Sequence, residues 1–216
     1  MSTLEARSVI YFVLIIVLAY VPYKPNQKKL FIGSSRRYAV LVSIWFCIFI
    51  YVLAYQVVPY VRLDHRLDWA LVLTSLIWFV SPYVVRIFGS APNIAIADKL
   101  ARLLIRFDPK MLLTKYFEIL FQQSMFVYIL FVLLRGVPFW PAVWWFTVFI
   151  GVIHLGNIPF TGKKDALFYF YLSLPMSVIF GVLMLHGYVN LTITIHMLFY
   201  LVFNGRFWFQ NRTSQK

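Results

Sequence analysis

Glu118, His154 and His196 are the residues of this chain best placed to do chemistry. Each is ionisable and each lies inside an apolar stretch: Glu118 in KYFEILFQQSMF, His154 in FIGVIHLGN and His196 in TIHMLFYLVFN. An ionisable side chain in lipid is costly unless it faces protein or water, so such a position points to function. The other acidic residues, Glu5, Asp64, Asp68, Asp98, Asp108 and Asp165, fall in loops or at helix ends, as do His65 and His186. One carboxylate and two imidazoles suit a divalent metal such as zinc, with a position left for water. They equally suit direct activation of water, with Glu118 as general base and the histidines as polarising groups. Gln122, one helical turn beyond Glu118, and Gln123, Asn157 and Tyr200 supply supporting polar groups. The plain structural alternative is that Glu118 bonds a neighbouring Gln or Tyr and each histidine bonds a backbone carbonyl between helices. No HExxH zinc signature, GxSxG serine elbow or GxxxxGK[ST] phosphate loop occurs in the sequence.

The elements that carry these residues read as transmembrane helices. Of the 216 residues, 62% are hydrophobic and only 12% are charged, and the mean hydropathy is +0.80. Soluble domains carry about 25% charged residues, and one core of this size could not hide so much apolar surface. Seven apolar stretches, near 8–23, 38–60, 68–88, 113–134, 139–160, 166–186 and 189–208, approach the ~20 residues that span a bilayer. They lack the alternation of a membrane barrel. The expected fold is therefore all-α: a polytopic bundle of about seven spans, or six if the short first stretch does not cross. It forms a single membrane domain over residues 1–216. Segment 94–107 sets Ile94, Ile96, Leu100, Leu103, Leu104 and Phe107 against Lys99, Arg102 and Arg106. That spacing predicts an amphipathic helix lying on the membrane interface.

The formal net charge is +13. The basic residues sit between apolar runs, so anionic lipid headgroups are the expected counter-charge, rather than nucleic acid. With the N-terminus outside, 16 basic residues fall on the inner side and 4 on the outer. The positive-inside bias thus predicts N-out and C-in, in a plasma (inner) membrane. This count places Lys115 in an inner loop. Glu118 then lies about one and a half turns above the cytoplasmic end of its helix, with His154 at a similar depth and His196 nearer the middle. Cys47 is the only cysteine, so no intramolecular disulfide can form.

Around these residues the sequence resembles the CPBP (CAAX protease and bacteriocin-processing, or Abi) intramembrane protease family. That family carries EExxxR on one helix, FxxxH on the next and HxxxN on a later one. Phe117-Glu118-Ile119-Leu120-Phe121-Gln122 is similar to the first motif, Ile150-Gly151-Val152-Ile153-His154-Leu155 to the second, and His196-Met197-Leu198-Phe199-Tyr200 to the third. The resemblance covers about residues 113–208. It departs from the family pattern at Phe117 (for the first Glu), Gln122 (for Arg), Ile150 (for Phe) and Tyr200 (for Asn). Shifting the first motif by one makes Glu118 its first Glu, with Ile119 and Gln123 at the following motif positions; both alignments stay open. The resemblance implies an endopeptidase acting near the cytoplasmic face on a membrane protein or peptide, in full or impaired form. Glu118 would be the base and His154 and His196 would polarise the water and stabilise the oxyanion. A non-catalytic scaffold or binding protein of the same fold is the alternative that the departures favour. A small transporter using Glu118 as a proton carrier is the third, and it would ideally show repeated, broken helices, of which the sequence has no sign.

Overall fold

The computed structural model describes residues 3–21, 36–61, 63–87, 109–156 and 163–213. These form seven α-helices with no strand among the described residues: α1 (Thr3–Ala19), α2 (Arg36–Val57), α3 (Asp68–Ile87), α4 (Pro109–Tyr128), α5 (Phe139–Leu155), α6 (Lys163–Leu185) and α7 (Val189–Thr213). The all-helical expectation holds, and the described part of each apolar stretch falls largely on one helix. Four helices, α2, α3, α4 and α6, are long and apolar enough to cross a membrane, while the apolar parts of α1, α5 and α7 are shorter. The expected interfacial helix over 94–107 lies outside the described residues, as does Asn157.

Two helix boundaries differ from expectation, and both change the site. Helix α4 covers Pro109–Tyr128, so it is already helical ahead of the apolar stretch. Lys115 therefore lies within the helix instead of a loop, and Glu118 is about two and a half turns beyond Pro109. Helix α5 ends at Leu155, with the Gly156 amide donating to the Val152 carbonyl. His154 is thus in the last turn rather than well inside the span.

Helix α4 is the central element. It packs against α2 and, along other faces, against α3 and α7, and more than half of its span is buried, against a third or less in α2, α3 and α6. The stripe Ala39, Val42, Ser43, Phe46, Phe49, Leu53 and Val57 on α2 recurs every three or four residues and is buried. Leu41, Ile44, Ile48, Tyr51 and Tyr55 on the opposite face are exposed. Both faces are apolar because lipid is as apolar as the neighbouring helix.

Backbone bonding is rearranged at two places. Pro82 in α3 cannot donate to the Trp78 carbonyl. That carbonyl accepts from Ser81 Oγ instead, at 2.8 Å. At the far end of α4 the chain continues as a π-turn over Ile129–Leu133, closed by the Leu134 amide on the Ile129 carbonyl at 2.9 Å.

Helix α5 pairs with α6 through glycine. A Cβ on Gly181 would meet Phe146 at 3.1 Å, and one on Gly151 would meet Phe170 at 2.9 Å. The α6–α7 turn is closed by Gly187 at φ 89°, a conformation that suits glycine. The Gly187 and Tyr188 amides donate back to the carbonyls of Met184 and Leu183, both at 2.9 Å.

This turn is tied to the corner before α3. The Asp64 amide donates to the Gly187 carbonyl at 3.0 Å, and Arg66 bridges Asp64 and the Tyr188 hydroxyl. The Arg66 hydrogen bonds hold the Asp64 carboxyl down at about 2. Asn190 donates to Asp68, which also accepts from His65. The charges of this corner are therefore engaged in closing one end of the bundle.

Candidate functional site

Helix α4 supplies the backbone of the site. Lys115, Glu118 and Gln122 follow each other at three- and four-residue spacing and so share one face. Lys115 Nζ donates to Glu118 Oε1 at 3.0 Å and Gln122 Nε2 donates to the same oxygen at 3.1 Å. The Glu118 residue is 8% exposed, and the Lys115 side chain 15%. A lone charge at such a position would be strongly penalised, and its neighbour one turn away offsets part of that penalty.

The other helices close around this pair. Tyr20, just beyond the end of α1, accepts from Gln122 Nε2 at 3.3 Å and sets its ring edge-on to Phe46 and Phe121. Tyr200 of α7 lies under Lys115 Nζ, 4.6 Å from ring centre to nitrogen, so the ammonium has an aromatic face as well as a carboxylate. The His196 ring stacks on Tyr200 at 5.5 Å and lies 5.8 Å from the Phe180 ring.

A second polar chain runs between α4 and α7. Thr192 Oγ1 donates to Gln123 Oε1 at 2.9 Å, and Gln123 Nε2 lies 2.9 Å from His196 Nδ1. Thr192 and Gln123 are essentially fully buried. His154 Nδ1 donates to the Ile150 carbonyl of its own helix at 2.8 Å. His154 is within electrostatic reach of Lys115 and of His196.

The structure thus brings together Glu118, Gln122, Gln123, His196 and Tyr200 from α4 and α7, with His154 beside them. It does not bring Glu118 into contact with the histidines as metal ligands. Among the described residues there is no group of three or more His, Cys, Asp or Glu side chains placed to hold a metal ion. The three-ligand zinc site expected of Glu118, His154 and His196 is therefore not formed. The physical reason is that the Glu118 carboxylate is drawn to Lys115 and Gln122 on its own helix.

Three contributors escaped the sequence reading. Lys115 carried a signal, since it stands three residues before Glu118, the spacing of an intrahelical ion pair. Tyr20 and Thr192 carried none, because each is one of many hydroxyl residues near an apolar stretch and only the packing of α1 and α7 selects it. Conversely, the histidine-to-carbonyl bond expected of the structural alternative is present at His154, within its own helix rather than between helices.

The arrangement holds an ion pair and two imidazoles at neighbouring positions in an otherwise apolar bundle. In comparisons with known proteins, the chain matches no protein-family profile, no curated protein and no solved structure.

Proposed function

We propose that this chain is an integral membrane protein of seven spans, N-out and C-in in the plasma membrane, with anionic lipids as its surroundings, and that its buried centre is a CPBP-like peptidase site. Glu118 is the base that takes a proton from water, and His154 and His196 polarise the attacked group and its oxyanion. The substrate is a membrane protein or peptide cut near the cytoplasmic face. One observation carries this reading: the buried Lys115–Glu118 pair of α4 meets Tyr200 of α7, and His196 stacks on that ring, at two of the three places where the sequence resembles the family motifs. No step is routed through a metal.

A second reading, a non-catalytic binding protein of the same fold, has its own observation. Glu118 Oε1 accepts from both Lys115 and Gln122, the arrangement of a carboxylate that ties its own helix together. The two readings separate in one experiment. The protein is reconstituted in nanodiscs with a prenylated CAAX peptide, and cleavage is followed by mass spectrometry beside Glu118→Ala, His154→Ala and His196→Ala. The peptidase reading expects cleavage by the wild type and a loss of roughly 10²- to 10⁴-fold in each variant, the usual scale for a general acid or base. Cleavage that survives in all three folded variants overturns it. A folded wild type that cuts neither this peptide nor any protein in native vesicles leaves the binding reading in its place.

A further inference from the structure

A cavity of about 380 Å³ opens at the end of α4 away from Lys115 and Glu118. Its size falls in the range of about 300–1,000 Å³ that small-ligand sites occupy. Four helices wall it. Pro59 comes just after α2, Leu130 and Leu134 lie in and after the π-turn that ends α4, Ala142 is in the first turn of α5, and Leu185 ends α6. Leu130, Leu134 and Ala142 are buried, so the floor is apolar and set by packing.

The depth of this cavity follows from helix lengths. Three of the four helices long and apolar enough to cross a membrane run out of apolar stretch here, at Val57, Leu133 and Leu185. The lining residues lie at those ends or within two residues beyond them. Where apolar spans end, the hydrocarbon gives way to lipid phosphates.

Charge narrows the occupant. Among the described lining residues Arg135 alone is charged, and it is exposed. Its guanidinium lies over the Tyr60 ring, 4.4 Å from the centroid. Arg66, at the same end of the bundle, is engaged by Asp64 and Tyr188. Among the described residues Arg135 has no carboxylate partner. A guanidinium donates two parallel hydrogen bonds to a phosphate. A choline or ethanolamine head would bring a cation of its own. No described carboxylate lines the cavity to receive it, and the Tyr60 ring is already covered by Arg135.

We propose that this cavity binds the head of an anionic phospholipid, with its phosphate on Arg135 and its uncharged head and glycerol against the apolar floor. The class is a phosphodiester lipid of single negative charge, such as phosphatidylglycerol. Its acyl chains remain in the bilayer beside α4 and α6. The assignment of the site to the outer leaflet rests on the N-out reading, while binding itself rests on neither topology nor peptidase activity.

The test is native mass spectrometry of the full chain in mild detergent, titrated with phosphatidylglycerol and with phosphatidylcholine of identical acyl chains. The wild type is expected to retain phosphatidylglycerol in preference. Arg135→Gln, an exposed change in a turn, is expected to weaken that binding about tenfold, the worth of one charged hydrogen bond. Lys163→Gln, at the far end of α6, is expected to leave it in place. Equal retention of the two lipids by the wild type overturns the proposal, as does a preference undiminished in Arg135→Gln. An equal loss in Lys163→Gln overturns it too, because the attraction would then be that of net charge. Displacement of the lipid by soluble glycerol phosphate at equal concentration would make the occupant a free anion and overturn the lipid assignment. Neither cleavage nor orientation is read in micelles, so failure here and failure of the function proposed above are separate results.

Discussion

At the residue scale, Lys115 and Glu118 define the centre. The sequence singled out Glu118, His154 and His196 because ionisable residues are conspicuous in apolar runs. It hid Lys115 because the apolar run begins at about residue 113, and a lysine near the edge of a run reads as part of a loop. Only the helical stretch from Pro109 onward puts Lys115 inside. Taking either partner from a buried ion pair strands the other charge and costs about 3–5 kcal/mol. Lys115→Met and Glu118→Gln are therefore each expected to destabilise the protein by that order, and the double variant by much less than their sum. Unfolding in mixed detergent micelles, arranged as a double-mutant cycle, measures the coupling. Additive effects would show that the pair contributes nothing as a pair.

Among elements, the helices were legible and their neighbours were not. Apolar runs of sufficient length without alternation mark helices, because in lipid a segment that is not part of a closed barrel must satisfy its backbone within itself. Which face of a helix meets protein is poorly marked, since apolar residues serve on both sides. On α2 the buried Phe46 and Phe49 and the exposed Ile44 and Ile48 are of the same chemical kind. Small residues are a clearer sign, and Gly151 and Gly181 stand where α5 meets α6. Phe146, which a Cβ on Gly181 would press, is itself fully buried and has little room to yield. Gly181→Leu is expected to loosen the α5–α6 pair by about 1–3 kcal/mol, the usual cost of overpacking. The same detergent titration reads this effect, and an unchanged midpoint would mean that the two helices are not in close contact.

The largest scale is that of the whole chain in the membrane. The seven helices reproduce the order and approximate bounds of the seven apolar runs. Crossing is a further matter, because among the described residues helix length and composition qualify four helices as spans. Orientation rests on the uneven distribution of basic residues. Single cysteines in a Cys47→Ser background can decide both. With N-out topology, Leu63→Cys is expected to react with an impermeant maleimide in intact cells, and Lys163→Cys only after permeabilisation. The opposite pattern would reverse the topology. Arg7→Cys reports on α1: labelling from outside gives seven spans, and labelling only after permeabilisation gives six.

The π-turn at the end of α4 has a consequence for the phase of that helix. A turn closed from residue i to i+5 takes in one residue more than an α-turn. Side chains before Ile129 and those after Leu133 are therefore out of step with an unbroken α-helix. On one side Tyr128 stacks on Phe12 of α1 and donates to the Ser8 carbonyl. On the other, Arg135 lies over the Tyr60 ring near the end of α2. The helix itself stops there: Leu134 leaves helical geometry at φ −101° and Gly136 follows at φ 79°. Arg135 thus reaches Tyr60 from the turn, while Tyr128 meets α1 from the last regular turn of α4, so the wide final turn is what hands the chain from one neighbour to the other.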